Sequence, residues 1–382
     1  MTGHIRRRGE RSWELKYDAG TDGAGKRKTR YASFKGTKAD AQKELIRLIA
    51  AEQSGQAVDP TRMKVSEFLE KWQRDWVAGN VGRKTAERWE ELIRIHITPN
   101  IGTTAMQKLR PVHLNELYAQ LLWSEENDEG LAPRTVGHVH RALHRALGHA
   151  AQWGIIGANI ASLVSPPRVP ATELEILTGP QTKALLEGLR GKPLYPLVAT
   201  ALATGMRRGE ILALRWKDID LTRDDRAEIR VEQSLEQTKT GLRIKAPKTK
   251  HGRRRIALPD FLAADLRAHR QALLKQRLAL GLGKLPDDGL VFGHIDGAPR
   301  RPDGLTQEWG RARGDLGLTV SLHAFRHTHA SALIASGMDI LTISRRLGHS
   351  SPTVTLTVYG HLFSNTDDRA AQIVQAAFGG TE

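Results

Sequence analysis

The chain has 382 residues, 40% of them apolar, and no cysteine, which excludes disulfide and thiolate chemistry and leaves any metal site to His, Asp and Glu. Its length exceeds what one hydrophobic core organises, no apolar run approaches the ~18 residues of a membrane span, and "MTGHIRRRGERSW" lacks a signal peptide's apolar segment. With 58 Lys and Arg against 42 Asp and Glu, the formal charge of +16 favours a polyanionic partner, because each phosphate contact releases counterions.

Residues 1 to 50 carry thirteen basic and six acidic side chains. In "SWELKYD", Trp13, Leu15 and Tyr17 alternate with polar neighbours, the period of a half-buried strand. "DAGTDGAGKRK" is a turn and "TRYASF" its return strand. Thr37 starts a helix with Asp40 as capping-box partner, and Ala41, Leu45, Leu48 and Ile49 form its apolar side. Three strands and one helix make a thin core and leave a basic sheet face spare for nucleic acid, the alternative being a solvated tip. A Gly, Gln and Pro stretch near 54 to 61 reads as a linker.

Residues 62 to 165 read as helical throughout, with Pro or Thr at several helix starts. Trp72, Trp76, Trp89, Trp123 and Trp153 are expected in core or interhelical packing. His138, His140, His144 and His149 share one helix, and His140 with His144 has ligand-pair spacing. Lacking an acidic third ligand, they are expected at the surface or on phosphate. "VSPPRVPATELEILTG" (164 to 179) is a second, proline-stiffened linker. The remainder forms a mainly helical unit with a small sheet around 227 to 258, from "AEIRVEQS", "LRIKAPKT" and "RRRIALP".

Chemistry gathers in this last unit. "TGMRRGEILALRW" puts Arg207 in a helix's first turn with Glu210 three positions later on the same side. In "HAFRHTHASAL", His323, Arg326 and His327 fall at i, i+3 and i+4, on one face if helical. Zinc does not fit, because Arg326 brings a fixed positive charge and no carboxylate accompanies the histidines. Converging cations suit an oxyanion instead, and arginine's planar fork suits two phosphate oxygens. "RRLGHSSPTVTLTVYGH" supplies Gly348 as a C-cap, His349 after it, Ser351 and Pro352 as a helix start, and Tyr359 near that helix's end. "RIKAPKTKHGRRR" (243 to 255) holds seven basic and no acidic residues. Within it Lys248 sits where strand gives way to turn, with Lys250 close enough to be confused with it.

These residues share a logic. Arg207 and Arg326 would bind the non-bridging oxygens of a phosphodiester and meet the charge of the transition state. Tyr359 would attack phosphorus and store the bond energy as a phosphotyrosine, with no ATP, cofactor or metal. An unperturbed tyrosine ionises near ~10, so it needs a proton acceptor, for which His323 leads. Lys248 would protonate the departing sugar oxygen, and His349 would donate a hydrogen bond to phosphate. Glu210 and His327 would support. The absence of a carboxylate cluster argues against two-metal nuclease chemistry.

"TGMRRGE", "HAFRH" and "LGHSSPTVTLTVYGH", in that order with Lys248 between the first two, resemble the tyrosine recombinase, or phage-type integrase, family. The likeness is strong over roughly 175 to 365, with Ala324 and Phe325 where many relatives have Asp and Leu. It implies the roles just given for Arg207, Lys248, His323, Arg326, His349 and Tyr359. The fold it implies is multidomain and mainly α. An arm-type DNA-binding domain (1 to 57) would be a three-stranded sheet plus helix. A helical, SAM-like core-binding domain (62 to 165) and a mixed α/β catalytic domain of the DNA breaking-rejoining type with a C-terminal tail (172 to 382) would follow.

The same resemblance implies a clamp on double-stranded DNA at core and arm-type sites. The protein would be a homotetramer on DNA and a monomer when free, aided by accessory bending and directionality proteins. It would act in the cytoplasm, nucleoid-associated and encoded by a bacterium or phage. Attack would release a 5′-hydroxyl and leave a 3′-phosphotyrosine, integrating or excising a mobile element or prophage. In "DDRAAQIVQAAFGG", Val374, Ala377 and Phe378 line one side of a tail expected to pack on a neighbouring protomer, the alternative being its own. Three other functions stay open: a type IB-like topoisomerase, a chromosome-dimer-resolving recombinase, and a non-catalytic DNA-binding regulator on the same scaffold.

Overall fold

A computed structural model describes residues 3–21, 27–53, 60–123, 130–170, 174–222, 227–247, 250–363 and 367–378. Contacts divide the chain into two compact units, Met1–Ala171 and Thr172–Glu382.

The first unit begins with an antiparallel sheet, β1 (Gly3–Gly9), β2 (Ser12–Thr21) and β3 (Arg27–Lys35), in that spatial order. Its register sets Ile5 opposite Leu15 and Leu15 opposite Ala32, so the alternation read from "SWELKYD" selects one face for burial. The helix Lys38–Gln53 covers that face through Ala41 and Leu45, and Leu15 and Tyr17 are buried beneath it. The capping box forms: Asp40 N–H donates to Thr37 Oγ1 at 3.2 Å, and Thr37 N–H to Asp40 Oδ2 at 3.4 Å. On the opposite face His4, Arg6, Arg8, Lys16 and Tyr31 are exposed.

The helical part of this unit is built on Val65–Trp72, Arg83–Leu92, Pro111–Leu122 and Pro133–Gln152. Two of the expected features differ. Trp72 is fully buried and Trp76 and Trp89 stack on it with ring centres 5.9 and 5.2 Å away. Trp123, however, ends its helix with 69% of its surface exposed, and Trp153 retains 38%. The histidines are not uniformly at the surface either. His149 is buried and accepts a 2.7 Å hydrogen bond from Trp72 Nε1, and buried His140 meets Tyr118 Oη at 3.0 Å. A polar tryptophan or tyrosine tip inside a core needs such a partner, which explains their placement. His138 and His144 are exposed.

In the second unit, β4 (Ile219–Asp220), β5 (Glu228–Val231) and β8 (Arg254–Ala257) form one antiparallel sheet, and β6 (Ser234–Thr238) with β7 (Gly241–Lys245) a separate ribbon. The sequence suggested one sheet. Residues 232 and 233 lie outside any strand, and beyond them the ribbon pairs within itself and not with β5 or β8. Around these strands pack Tyr195–Thr204, Asp260–Ala279, Pro302–Asp315 and Ala324–Ala335, with Leu212, Ile229, Ile256, Leu262 and Phe325 at or below 1% exposure in a shared core. The final helix Asp367–Phe378 leaves Val374 and Phe378 53% and 83% exposed. Among the described residues no helix is long and apolar enough to cross a membrane, and no cluster of three or more His, Asp and Glu is placed to hold a metal.

Candidate active site

Five helix termini meet in the second unit. Tyr195–Thr204 stops at Gly205, whose φ of 63° is left-handed and whose Cβ, were there one, would lie 2.7 Å from His329. Two residues later Arg207 is the N-cap of Arg208–Leu212, one step earlier than the first turn expected, with extended ψ of 149°. Glu210 fixes it twice: Arg207 Nη1 donates to Oε1 at 2.8 Å and the Arg207 N–H to Oε2 at 2.9 Å. The other end of the guanidinium donates to Gly348 O at 3.0 Å, yet the side chain stays 41% exposed. Arg207 is held from behind and open in front.

Glu210 itself is 4% exposed. Burial alone would raise its pKa, but the hydrogen bonds and charge of Arg254, and then Arg207, outweigh this and hold it below the usual range. Arg254, on β8, supplies Nη2 at 2.8 Å and Nη1 at 3.2 Å. Its Nε donates to Arg346 O at 2.7 Å. One buried carboxylate therefore joins the Arg207 turn to the strand that follows the basic run.

The helix Ala324–Ala335 begins after His323, its N-cap. One turn in, Arg326 is buried and donates to Gly205 O and Leu347 O, each at 2.7 Å. Among the described residues no carboxylate forms a salt bridge with it. Burial, and then the charge of Arg207, push its pKa down. An anion arriving there would relieve both penalties.

Ile340–Leu347 ends at Gly348, φ 67°, as the C-cap reading expected. His349 follows, and its Nδ1 lies 2.7 Å from Thr355 Oγ1. Pro352 then opens the helix Pro352–Tyr359 with Ser351 as N-cap. Tyr359 ends that helix, 1% exposed, with its Oη 2.8 Å from His327 Nδ1. Burial raises its pKa above 10 against the opposing pull of Arg326 and Arg207.

The structure thus brings together Arg207, Glu210, His323, Arg326, His327, His349 and Tyr359. One contact differs from the pairing expected. The phenol meets His327, and His323 is a step removed, its ring edge-on to His327 at 4.8 Å. The helix starts only at Ala324, so His323 precedes the turn that carries His327 to the tyrosine. Lys248 lies outside the described residues, and Lys250 begins the short turn Lys250–Gly252. Sequence reasoning missed Arg254 and Thr355. Arg254 was one of seven basic residues in a run, and only its burial separates it from solvated neighbours.

His327, His349 and His329 all have pKa values lowered to about 4, by burial first and then by neighbouring cations. Their unfolded value is about 6.5. Between pH 6.5 and 4 the unfolded chain therefore binds protons that the folded chain does not, and stability is lost as pH falls through that window. Each unit is worth about 1.4 kcal/mol, so buried His329 alone contributes up to roughly 3 kcal/mol. Urea unfolding midpoints are expected to fall steeply from pH 6.5 to 4.5, and His329→Gln to flatten that slope. An unchanged slope in the variant would remove His329 from this account.

The phage integrase family model matches residues 175–366, half of the chain, and the phage integrase N-terminal SAM-like domain model matches residues 64–122. An integrase of Streptomyces ambofaciens is 28% identical over 352 residues, covering 91% of this chain and 88% of that protein. The ICEBs1 integrase of Bacillus subtilis (strain 168) is 29% identical over 288 residues, covering 73% and 74%. The Tn1549 transposon integrase, solved in complex with transposon right end DNA, shares the fold with a TM-score of 0.68 and 24% identity, over 82% of this chain and 100% of that one. The family match covers every residue of the cluster built above, from Arg207 to Tyr359. On that ground the chain belongs to the phage integrase family and is a tyrosine recombinase acting site-specifically on duplex DNA.

Proposed function

We propose that the protein integrates and excises a mobile element, cutting and rejoining DNA through a 3′-phosphotyrosine at Tyr359. The observation that carries this is the 2.8 Å contact of Tyr359 Oη with His327 Nδ1, beside a buried Arg326 that, among the described residues, donates only to carbonyl oxygens. In the proposed step Arg326 and Arg207 bind the non-bridging oxygens of the scissile phosphate. The negative phosphate raises the proton affinity of His327, which burial, His323 and Arg326 otherwise hold down to about 4. His327 can then take the phenolic proton as Oη attacks phosphorus. The bond to the 5′ oxygen breaks, and that oxygen leaves as a hydroxyl with a proton assigned, on sequence grounds, to Lys248. His349 donates a hydrogen bond to a phosphate oxygen, and His323 stands next in the proton path. Attack by a 5′-hydroxyl of another duplex reverses the chemistry and joins the strands.

The basic, open face of the N-terminal sheet, with His4, Arg6, Arg8 and Lys16 exposed, supports binding to a second, arm-type DNA site within residues 1 to 57. Residues 62 to 165 and 172 to 382 would hold the crossover core. The relatives named as integrases, 28% and 29% identical, support the integrase reading over dimer resolution or topoisomerase action. We assign a tetramer on DNA, in the cytoplasm of a bacterium.

A nicked suicide duplex carrying the element's core site tests the reading. Wild-type protein is expected to accumulate as a covalent adduct whose peptide map places the nucleotide on Tyr359, and an uncut cognate pair is expected to yield joint products. Relaxation of a single duplex without joint products would favour a topoisomerase. No adduct at all would favour a DNA-binding regulator.

A further inference from the structure

We propose that Thr355 is a positioning residue that fixes the tautomer of His349, so that Nε2 carries the imidazole's single proton. The proposal rests on the reading above only where it links that proton to cleavage.

The argument begins with charge state. His349 has a pKa lowered to about 4, so near neutral pH it is an uncharged ring with one N–H. Only one nitrogen can then donate, and which one depends on what the other meets. Nδ1 lies 2.7 Å from Thr355 Oγ1.

The direction of that bond follows from accounting for a buried hydroxyl. Thr355 is 0% exposed. Its neighbour Thr357 donates back to Thr353 O at 2.8 Å, a common outlet for a helical hydroxyl. Among the described residues the hydroxyl of Thr355 has no such outlet and meets only His349. Were Nδ1 protonated, it would donate to Oγ1 and leave the hydroxyl proton buried without an acceptor, which is unfavourable. If the hydroxyl donates, Nδ1 accepts, both members of the contact are satisfied, and Nε2 becomes the ring's donor. Thr355 stands one helical turn before Tyr359 on the same helix, so the element that presents the nucleophile also orients the histidine.

Selective 15N-histidine labelling of the full chain, with His349 assigned by its disappearance in His349→Gln, reads the tautomer directly at pH 7. Wild type is expected to show a protonated Nε2 and a bare Nδ1. Thr355→Val keeps the shape and deletes the donor, and is expected to shift His349 towards the Nδ1–H form. Thr355→Ser restores the hydroxyl and should restore the wild-type signature. Single-turnover cleavage on saturating suicide duplex is expected to fall about tenfold in Thr355→Val at unchanged DNA affinity, and to recover in Thr355→Ser. A protonated Nδ1 in wild type overturns the proposal, even if the valine variant fails to fold. So does an unaltered His349 signal in a folded Thr355→Val. A shifted tautomer with undiminished cleavage upholds the assignment and instead removes His349 from the phosphate.

Discussion

Tyr359→Phe is expected to bind the cognate duplex as wild type does and to form no covalent adduct, a loss of at least about 10⁴-fold in single-turnover cleavage. The phenol lies in the interior, 1% exposed, and only its oxygen separates the two side chains. Removing that oxygen deletes the proposed nucleophile and leaves the ring packing on its helix in place. His327 Nδ1 loses its 2.8 Å partner, which should cost about 1 kcal/mol of stability, too little to unfold the unit. Arg207 and Arg326, the arginines proposed to bind phosphate, are anchored on Glu210, Gly205, Leu347 and Gly348 and not on the tyrosine. Affinity should therefore survive where chemistry does not. Gel-shift titration and denaturing electrophoresis of the same reactions measure the two quantities separately. A persisting protein–DNA adduct in the phenylalanine variant would assign attack to another side chain.

The sequence made the machinery legible to different depths. Helix ends were readable because their signals are local: Gly348, Pro352 at a first helical position, and the pair Thr37 and Asp40 each act within one turn. The N-terminal sheet followed from a period of two in "SWELKYD". Proton partners were not readable, because they are tertiary facts. His323 and His327 differ by one helical turn, and only the packing of Pro352–Tyr359 against that turn selects His327. The same holds for Trp123, where composition suggested burial and the end of a helix left the ring in solvent. Arg254 was hidden in a basic run, since charge pattern carries no information about which cation faces a buried acid.

That buried acid gives the second large effect. Glu210→Ala is expected to destabilise the protein by about 3–5 kcal/mol, because it leaves Arg254, with 6% of its side chain exposed, without a counter-ion. Glu210→Gln keeps the shape and one acceptor oxygen, so it should fold and separate stability from chemistry. Four hydrogen bonds converge on the carboxylate, two from Arg207 and two from Arg254. Gln can satisfy fewer of them, and its NH₂ would face a guanidinium. Arg207 then loses the anchor that aims its exposed side, and an interaction made mainly with the transition-state phosphate weakens before ground-state binding does. Cleavage by Glu210→Gln should fall about 10²-fold with DNA affinity within about threefold of wild type. The pH dependence carries a second signature. The carboxylate's folded pKa is depressed, so its contribution is present above the unfolded value and lost as pH falls through the folded one. Removing it should therefore bring the stabilities of variant and wild type together at low pH. If Glu210→Gln cleaves as wild type does, Arg207 is aimed by Gly348 alone and the carboxylate serves only to neutralise Arg254.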